Sequence, residues 1–587
     1  MNSKPGTSVR LFAYLLVLLL LPPFSTVNSV VVPTYRYTSC RIPLLAVSGN
    51  NTGVVIPGEI RVYHGGRGLV SVSSASEDLL VSIKIALIYA SITTGVDYKC
   101  CDYYLKVEGD VKGLSATLLF YIVFSHILSR GECPENISAT GIIGPGGVIG
   151  AVGGLEYKLR AAQTVNLALV YIPGVQREYA NYTSIPTISV YTVYDYVSRP
   201  PQEDKNTHPL LERMQSLFKP VYENLSNTAG KVLRELEDLN WSDRYFNSAR
   251  ERLEYSHVAA SQGKYYVAAS LAFSALIDAY TSRLLYFYVK KPGELVDVIN
   301  TLLSNVLSVA SSIKREITWR LEEAVKTGLM DPVYLDLLIT AYTRASEAER
   351  IALEATHLNS DLSQAISVTT VAQARVLSAI GWLNVSTSAY NITGRFLSID
   401  NVSVLSEKAR EFLNTHVEYL SQLGIVRKPT LPREMNSTVL LEVLDFLLST
   451  SRDLYTPDNT VFIPREKSAV ENLVRTFKDL FEHYIDVYEY TPISALLVAD
   501  LAEYYLNYLD VEPSSVISLV YPELSRVALY MYMTVIKSFE ATSPLYFSLQ
   551  REVLVACLLI ALTGILISLY YVKRKLSRRS RSPGTVI

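Results

Sequence analysis

Apolar and polar residues alternate along the first third of the chain. The runs Glu59-Ile60-Arg61-Val62-Tyr63, Gly68-Leu69-Val70-Ser71-Val72, Tyr103-Tyr104-Leu105-Lys106-Val107 and Ala168-Leu169-Val170-Tyr171-Ile172 have the period of two that predicts strands. Between them, Glu77–Thr93 and Ser115–Leu128 are apolar over helical lengths. Glycine, valine and isoleucine are frequent from 35 to 198, and the mixture predicts an α+β or α/β domain. The polar, proline-bearing stretch Ser198-Arg199-Pro200-Pro201-Gln202-Glu203-Asp204 reads as the linker that ends it, at 199–204.

Beyond residue 205 the apolar period becomes helical. Val232, Leu233, Leu236 and Leu239 keep one stripe, and Ala259 to Leu285 is dense in Ala, Leu and Tyr. Pro292, Pro332, Pro429, Pro457, Pro492, Pro513 and Pro522 separate stretches of helical length. The small residues Ala259, Ala260, Ala268, Ala269, Ala272 and Ala275 have the spacing of a tetratricopeptide-like helical hairpin, without a fixed repeat. An irregular all-α region over 205–548 is expected, divided near Pro429.

Both ends carry membrane signals. Lys4 and Arg10 precede the apolar run Leu11–Leu21, and Val27-Asn28-Ser29 offers small residues for cleavage, so 1–29 reads as a signal peptide. An uncleaved N-terminal anchor is the alternative. Val553–Val572 has no charge and is long enough for a transmembrane helix. Lys573, Arg574, Lys575, Arg578, Arg579 and Arg581 follow it, so 573–587 reads as a basic cytoplasmic tail. The expected protein is single-pass in the cell membrane, with its N-terminal ectodomain outside.

Composition adds constraints. A formal net charge of -2, with the basic residues gathered at the tail, argues against nucleic acid as a partner. With 49% hydrophobic and 19% charged residues the chain is not of the disordered type. N-x-S/T sequons at Asn50, Asn136, Asn181, Asn224, Asn240, Asn384, Asn391, Asn401 and Asn436 agree with an exported glycoprotein. Cys557 lies in the apolar span. Cys40, Cys100, Cys101 and Cys133 allow up to two disulfides. Adjacent cysteines rarely bond each other, so Cys100 and Cys101 are expected to pair with Cys40 or Cys133; the pairing itself stays open. No Cys or His spacing suggests a metal, and no cofactor is expected.

Two segments carry candidate chemistry. Asp110-Val111-Lys112-Gly113-Leu114-Ser115-Ala116-Thr117 leads from a turn into a helix, which places Ser115 where free backbone N–H groups stabilise an oxyanion. The second, Thr140-Gly141-Ile142-Ile143-Gly144-Pro145-Gly146-Gly147-Val148-Ile149-Gly150-Ala151-Val152-Gly153-Gly154-Leu155-Glu156-Tyr157-Lys158-Leu159-Arg160-Ala161-Ala162, is a glycine-dense hairpin running into a helix. It resembles the signature of the Lon proteolytic domain, a Ser/Lys peptidase, and the resemblance extends over about 35–198. It implies that Lys158 is the catalytic base and Ser115 the nucleophile, and that Thr140 orients the lysine. The Ser115 backbone would then form part of the oxyanion hole. The same resemblance implies a homo-oligomeric, hexameric ring.

The implied chemistry is physically coherent. A serine hydroxyl needs an adjacent base, and a lysine in an apolar pocket loses its charge readily. Leu114 and Thr117 depart from the residues usual around that nucleophile, and Thr117 puts a β-branched side chain near the expected substrate path. No Gly-x-x-x-x-Gly-Lys-Ser/Thr loop occurs, so a peptidase here is ATP-independent. There is no His-Glu-x-x-His and no Gly-x-Ser-x-Gly; His64, His126, His208, His257, His357, His416 and His483 are scattered. The expected function is a membrane-anchored serine endopeptidase acting on polypeptide substrates. Its alternative is a catalytically inactive Lon-like surface scaffold of the cell envelope.

Overall fold

The computed structural model describes residues 37–542, apart from 50, 74–75, 110–112, 166, 197–207, 328, 357–361, 396, 399–401, 425–436 and 488–490. The signal peptide, the linker at 199–204, the boundary near Pro429, the apolar span 553–572 and the basic tail therefore lie outside the described residues. What is described is mostly helical, with a smaller α/β region at its N-terminal end.

Strands β1 (Tyr37–Val47), β2 (Gly53–His64), β3 (Val70–Val72) and β4 (Cys101–Val107) form one sheet in the order β1-β2-β4-β3. All pairs are antiparallel except β3 with β4. Period-two burial of Ile60 and Val62 on β2, and of Tyr103 and Leu105 on β4, gives the sheet its apolar face. A second sheet pairs β5 (Ile137–Ala139), β8 (Leu169–Pro173) and β9 (Thr187–Val190) in parallel, in the order β5-β8-β9. Between them β6 (Ile142–Ile143) and β7 (Ile149–Gly150) make a short hairpin.

Helices α1 (Glu77–Thr94) and α2 (Thr117–Arg130) pack on each other and are buried over most of their lengths, as the apolar runs foretell. Each ends at a glycine in the left-handed region, Gly95 (φ 72°) and Gly131 (φ 73°). The third helix, α3 (Leu155–Ala162), buries Leu155, Lys158, Leu159 and Ala162 on one face against β2.

The remaining helices are α4 (Pro209–Asp238), α5 (Arg244–Ser261), α6 (Tyr265–Lys290), α7 (Pro292–Thr327), α8 (Pro332–Thr356), α9 (Leu362–Ser388), α10 (Val402–Gln422), α11 (Ser437–Leu454), α12 (Lys467–Val487), α13 (Ile493–Tyr508) and α14 (Pro513–Thr542). The expected hairpin is present: α5 and α6 pack along each other across a turn at Gln262-Gly263-Lys264, with Gly263 at φ 75°. By length and apolarity α7 and α9 are the described helices able to cross a membrane. In the fold α7 lays the stripe Leu295, Ile299, Leu303, Val306, Ala310, Ile313, Ile317 and Leu321 on the bundle, and its other face is largely polar. A minor strand pair, β10 (Leu329–Met330) with β11 (Leu397–Ser398), ties two connections together.

Three expectations need correction. Pro522 does not separate helices; it lies inside α14, as Pro220 lies inside α4. Leu239 leaves the stripe of Val232, Leu233 and Leu236 and is 50% exposed beyond the end of α4. The disulfide joins Cys40 to Cys133, while Cys100 and Cys101 are free thiols with sulfurs 3.1 Å apart. Register explains it. Cys40 faces Ile60, and Ile60 faces Leu105, so Cys101 lies four residues, roughly 13 Å, further along β4. Cys133 instead follows α2 and comes up beside β1. The sequon residues Asn136, Asn181, Asn224, Asn240, Asn384 and Asn391 are all exposed.

Despite the linker, the helical region is packed against the α/β region. α10 and α14 both contact α1, and Lys84 pairs with Glu418 at 2.9 Å. Lys99 and Tyr98 reach Glu411 at 2.8 and 2.6 Å. Around the β6–β7 hairpin the enclosure is close: Tyr455 donates to the Pro145 carbonyl, the Ile143 N–H donates to Tyr419 Oη at 3.1 Å, and the Ala151 N–H donates to the Val461 carbonyl at 2.8 Å. Gly146, at φ 78°, lies against α14, where a Cβ would come within 2.7 Å of Leu524.

Candidate active site

Ser115 and Lys158 arrive from separate elements. Ser115 sits in a short 3-10 turn, Leu114–Ala116, that opens α2. Gly113 precedes it at φ 95°, a conformation that disfavours a side chain, and its N–H donates to the Asp78 carboxylate at 2.8 Å. That bond ties the turn to the first turn of α1. On the other side the Ser115 carbonyl accepts from the Gly141 N–H at 2.8 Å and from the Thr140 hydroxyl at 3.2 Å. The Leu118 N–H donates back to the Gly141 carbonyl at 3.1 Å. The Ser115 turn is thus laced to the Thr140-Gly141 segment through Ser115 and Leu118.

Lys158 lies on the inward face of α3, four residues beyond Gly154. Gly154 is itself left-handed (φ 64°), and a Cβ there would come within 2.8 Å of Val47. At Gly53 a Cβ would collide with the Tyr157 carbonyl at 1.9 Å, so β2 can only approach α3 this closely through glycine. Held in this way, Lys158 is 4% exposed. Its Nζ lies 2.8 Å from Ser115 Oγ and 3.3 Å from Thr140 Oγ1.

The electrostatics of the lysine follow from its surroundings. Among the described residues no carboxylate pairs with it, and burial pulls the ammonium down to about 8. The ammonium therefore still predominates near neutral pH, beside a neutral minority of roughly a tenth to a fifth. The neutral amine has a lone pair and can accept the Ser115 proton; the ammonium can only donate.

Other expected positions take different roles. Thr117 does not face the Ser115–Lys158 contact: it is buried, donates to the Leu114 carbonyl at 2.6 Å, and lies 3.1 Å from Tyr419 Oη. Its β-branch packs under α10. His416 is buried at 2.9 Å from Tyr89 Oη and held down to about 4 by that burial, which makes it a neutral core histidine. The contact with Cys100 lowers Cys101 to about 7, with His64 Nδ1 at 3.6 Å. Among the described residues no group of His, Cys, Asp and Glu is arranged to hold a metal.

Sequence reasoning missed Asp78 and Tyr419. Asp78 reads as a helix-start acid, and only the fold brings the Gly113 N–H to it. Tyr419 lies 302 residues from Thr117 and nothing local marks it. A scan of the chain against protein-family models and a search of curated proteins both return no match.

Proposed function

We propose that this chain is an ATP-independent serine endopeptidase with a Ser115–Lys158 dyad and a Lon-like proteolytic domain, anchored in the cell membrane and facing outward. The observation that carries the reading is a buried Lys158, without a carboxylate partner among the described residues, within hydrogen-bond distance of the Ser115 hydroxyl. In this mechanism neutral Lys158 takes the Ser115 proton as Oγ attacks a peptide carbonyl, and the resulting ammonium protonates the leaving amine. Thr140 accepts from Nζ and holds it on line. The oxyanion meets N–H groups at the start of the Leu114–Ala116 turn, where a helix start leaves donors without intrahelical partners.

The resemblance to Lon supplies the assignment of nucleophile and base, together with the proposed hexameric ring. The absence of a phosphate-binding loop from the sequence supports ATP independence and substrates that arrive already extended. The test is cleavage of an unfolded polypeptide by the full-length protein without ATP, beside Ser115→Ala and Lys158→Ala. Cleavage by the parent, lost in both variants, is expected. A folded parent as inert as its variants across varied substrates sinks the peptidase reading and leaves a non-catalytic surface scaffold.

A further inference from the structure

A cavity of about 740 Å³ lies between α4, α5, α6, α9, α13 and α14, far from Ser115 in sequence. Ligand pockets of this size are ordinary for small molecules. One wall is an aromatic cluster: the Phe218 ring meets Tyr266 at 5.0 Å and Trp382 at 4.8 Å, both edge-on. Phe273 and Tyr505 continue it. The mouth runs past the exposed Tyr255 and Glu251 of α5 and past Asp510.

The floor is cationic. Arg344, Arg375 and Arg452 line it, and all three turn to one carboxylate behind them, Glu347. Burial would push Glu347 up, but the three guanidiniums outweigh that and hold it well below the usual carboxylate range. The reverse is true of two of the arginines: burial lowers Arg375 to about 10, with Glu347 offsetting only part, and Arg452 is lowered likewise. Arg344 and Arg452 each complete a single hydrogen bond to Glu347, at 3.2 and 3.1 Å, and buried Arg344 Nε has no partner. Arg375 stacks on Phe273 at 5.2 Å, and its Nε lies 3.2 Å from Glu347 out of hydrogen-bond alignment. The other nearby carboxylates do not make up the difference. Glu523, on the wall, is bound by Arg526, and burial raises Asp445 to about 7.

Three guanidiniums with most of their donors unused, at the end of an aromatic chamber, match an anion with an apolar body. We propose that this cavity binds an amphipathic carboxylate, its head on Arg344, Arg375 and Arg452 and its aromatic or aliphatic body against the Phe218–Trp382 wall. The site is separate from the proposed dyad and stands whether or not the chain is a peptidase.

The experiment is equilibrium dialysis of naphthalene-2-carboxylate against full-length Ser115→Ala protein in lipid discs, with empty discs as the blank. Naphthalene-2-carboxamide, of the same shape without charge, is run beside it. Saturable binding of the acid is expected, with the amide about tenfold weaker or more. Arg375→Gln should abolish that preference while leaving amide binding in place. Ser274→Trp, which fills the chamber from its apolar side, should exclude both. Thermal melts establish that each variant is folded. Absence of saturable acid binding in the folded parent, equal binding of acid and amide, or an unchanged preference in folded Arg375→Gln each overturns the proposal.

Discussion

Lys158 and Arg526 are both buried cations, one in the α/β region and one in the helical region, and their surroundings are opposite. Arg526 is fully buried on α14, with Nη1 2.9 Å from the Asp336 carboxylate and Nε 3.0 Å from Glu523. Nη1 also donates to Thr340 Oγ1 at 2.8 Å, and Tyr530 donates to Asp336 at 2.9 Å. Burial alone would lower the guanidinium, but Glu523 and Asp336 outweigh it and raise it. Lys158 has hydroxyls for neighbours and no carboxylate among the described residues, so the same burial acts unopposed and lowers it. A charge buried with its counter-charges is fixed in one protonation state and serves packing. A charge buried without them is poised to change state, which a proton-transfer role requires.

Methionine at both sites breaks the comparison most sharply. Lys158→Met keeps the length of the side chain and removes the amine. If the proposed dyad is catalytic, proteolytic rate should fall by about 10⁴-fold, because Ser115 would lose its base. Stability should hold or rise, because no partner charge is stranded and a desolvated amine is gone. Arg526→Met should do the opposite, lowering stability by about 3–5 kcal/mol as Asp336 and Glu523 are left buried without a cation. Chemical denaturation beside a peptide-cleavage assay reads both. Equal destabilisation by the two substitutions would mean that Lys158 is a structural cation as well.

The next test uses pH alone. Because Lys158 is lowered to about 8 when folded, cleavage should rise about tenfold per pH unit below that value and level off above it. Stability carries a linked signature. Between about 8 and the unfolded lysine value near 10.4, the unfolded chain holds a proton that the folded chain has shed, so stability climbs with pH across that window. The gain is on the order of 3 kcal/mol and is absent below pH 8, where both states are protonated. Lys158→Met should remove this contribution, which separates it from other groups titrating in the range. Arg526, charged in both states, contributes no slope.

The two sites also differ in how far the sequence discloses them. Ser115 and Lys158 stand in local segments whose glycines, spacing and following helix are legible as a unit, and the helix runs around them match α1 and α2 within two residues, while the run Glu59–Tyr63 marks only the second half of β2. The Arg526 cluster is assembled from α8 and α14, with Asp336 190 residues away. Asp336, Glu523 and Arg526 stand in stretches dense in apolar residues where nothing local pairs Asp336 with the other two, and only the tertiary fold brings them together. The guanidiniums around Glu347 are hidden for the same reason. Pro522 misleads in a related way: proline punctuates isolated helices, but the packing of α14 against α11 and α13 outweighs one lost backbone bond. That loss leaves the Ser518 carbonyl without its helical donor, beside the cavity that both residues line.

Thr140→Val sharpens the comparison with the smallest change. The hydroxyl accepts from Lys158 Nζ at 3.3 Å and donates to the Ser115 carbonyl at 3.2 Å, so it links base and nucleophile without itself changing protonation state. Valine keeps the β-branched shape and removes both bonds. If Thr140 positions the lysine, the loss should appear in kcat by about tenfold, with KM nearly unchanged, because the misalignment matters when the proton moves. The rate profile should also move: with one acceptor fewer the ammonium is less supported, so the pH at which cleavage levels off should drop. Thr140→Ser restores the hydroxyl and should recover most of the rate. A valine variant that is merely less stable, with parental kcat and an unmoved pH profile, would make Thr140 a turn residue and leave the glycine-built approach of α3 to Ser115 as the device that aligns the dyad.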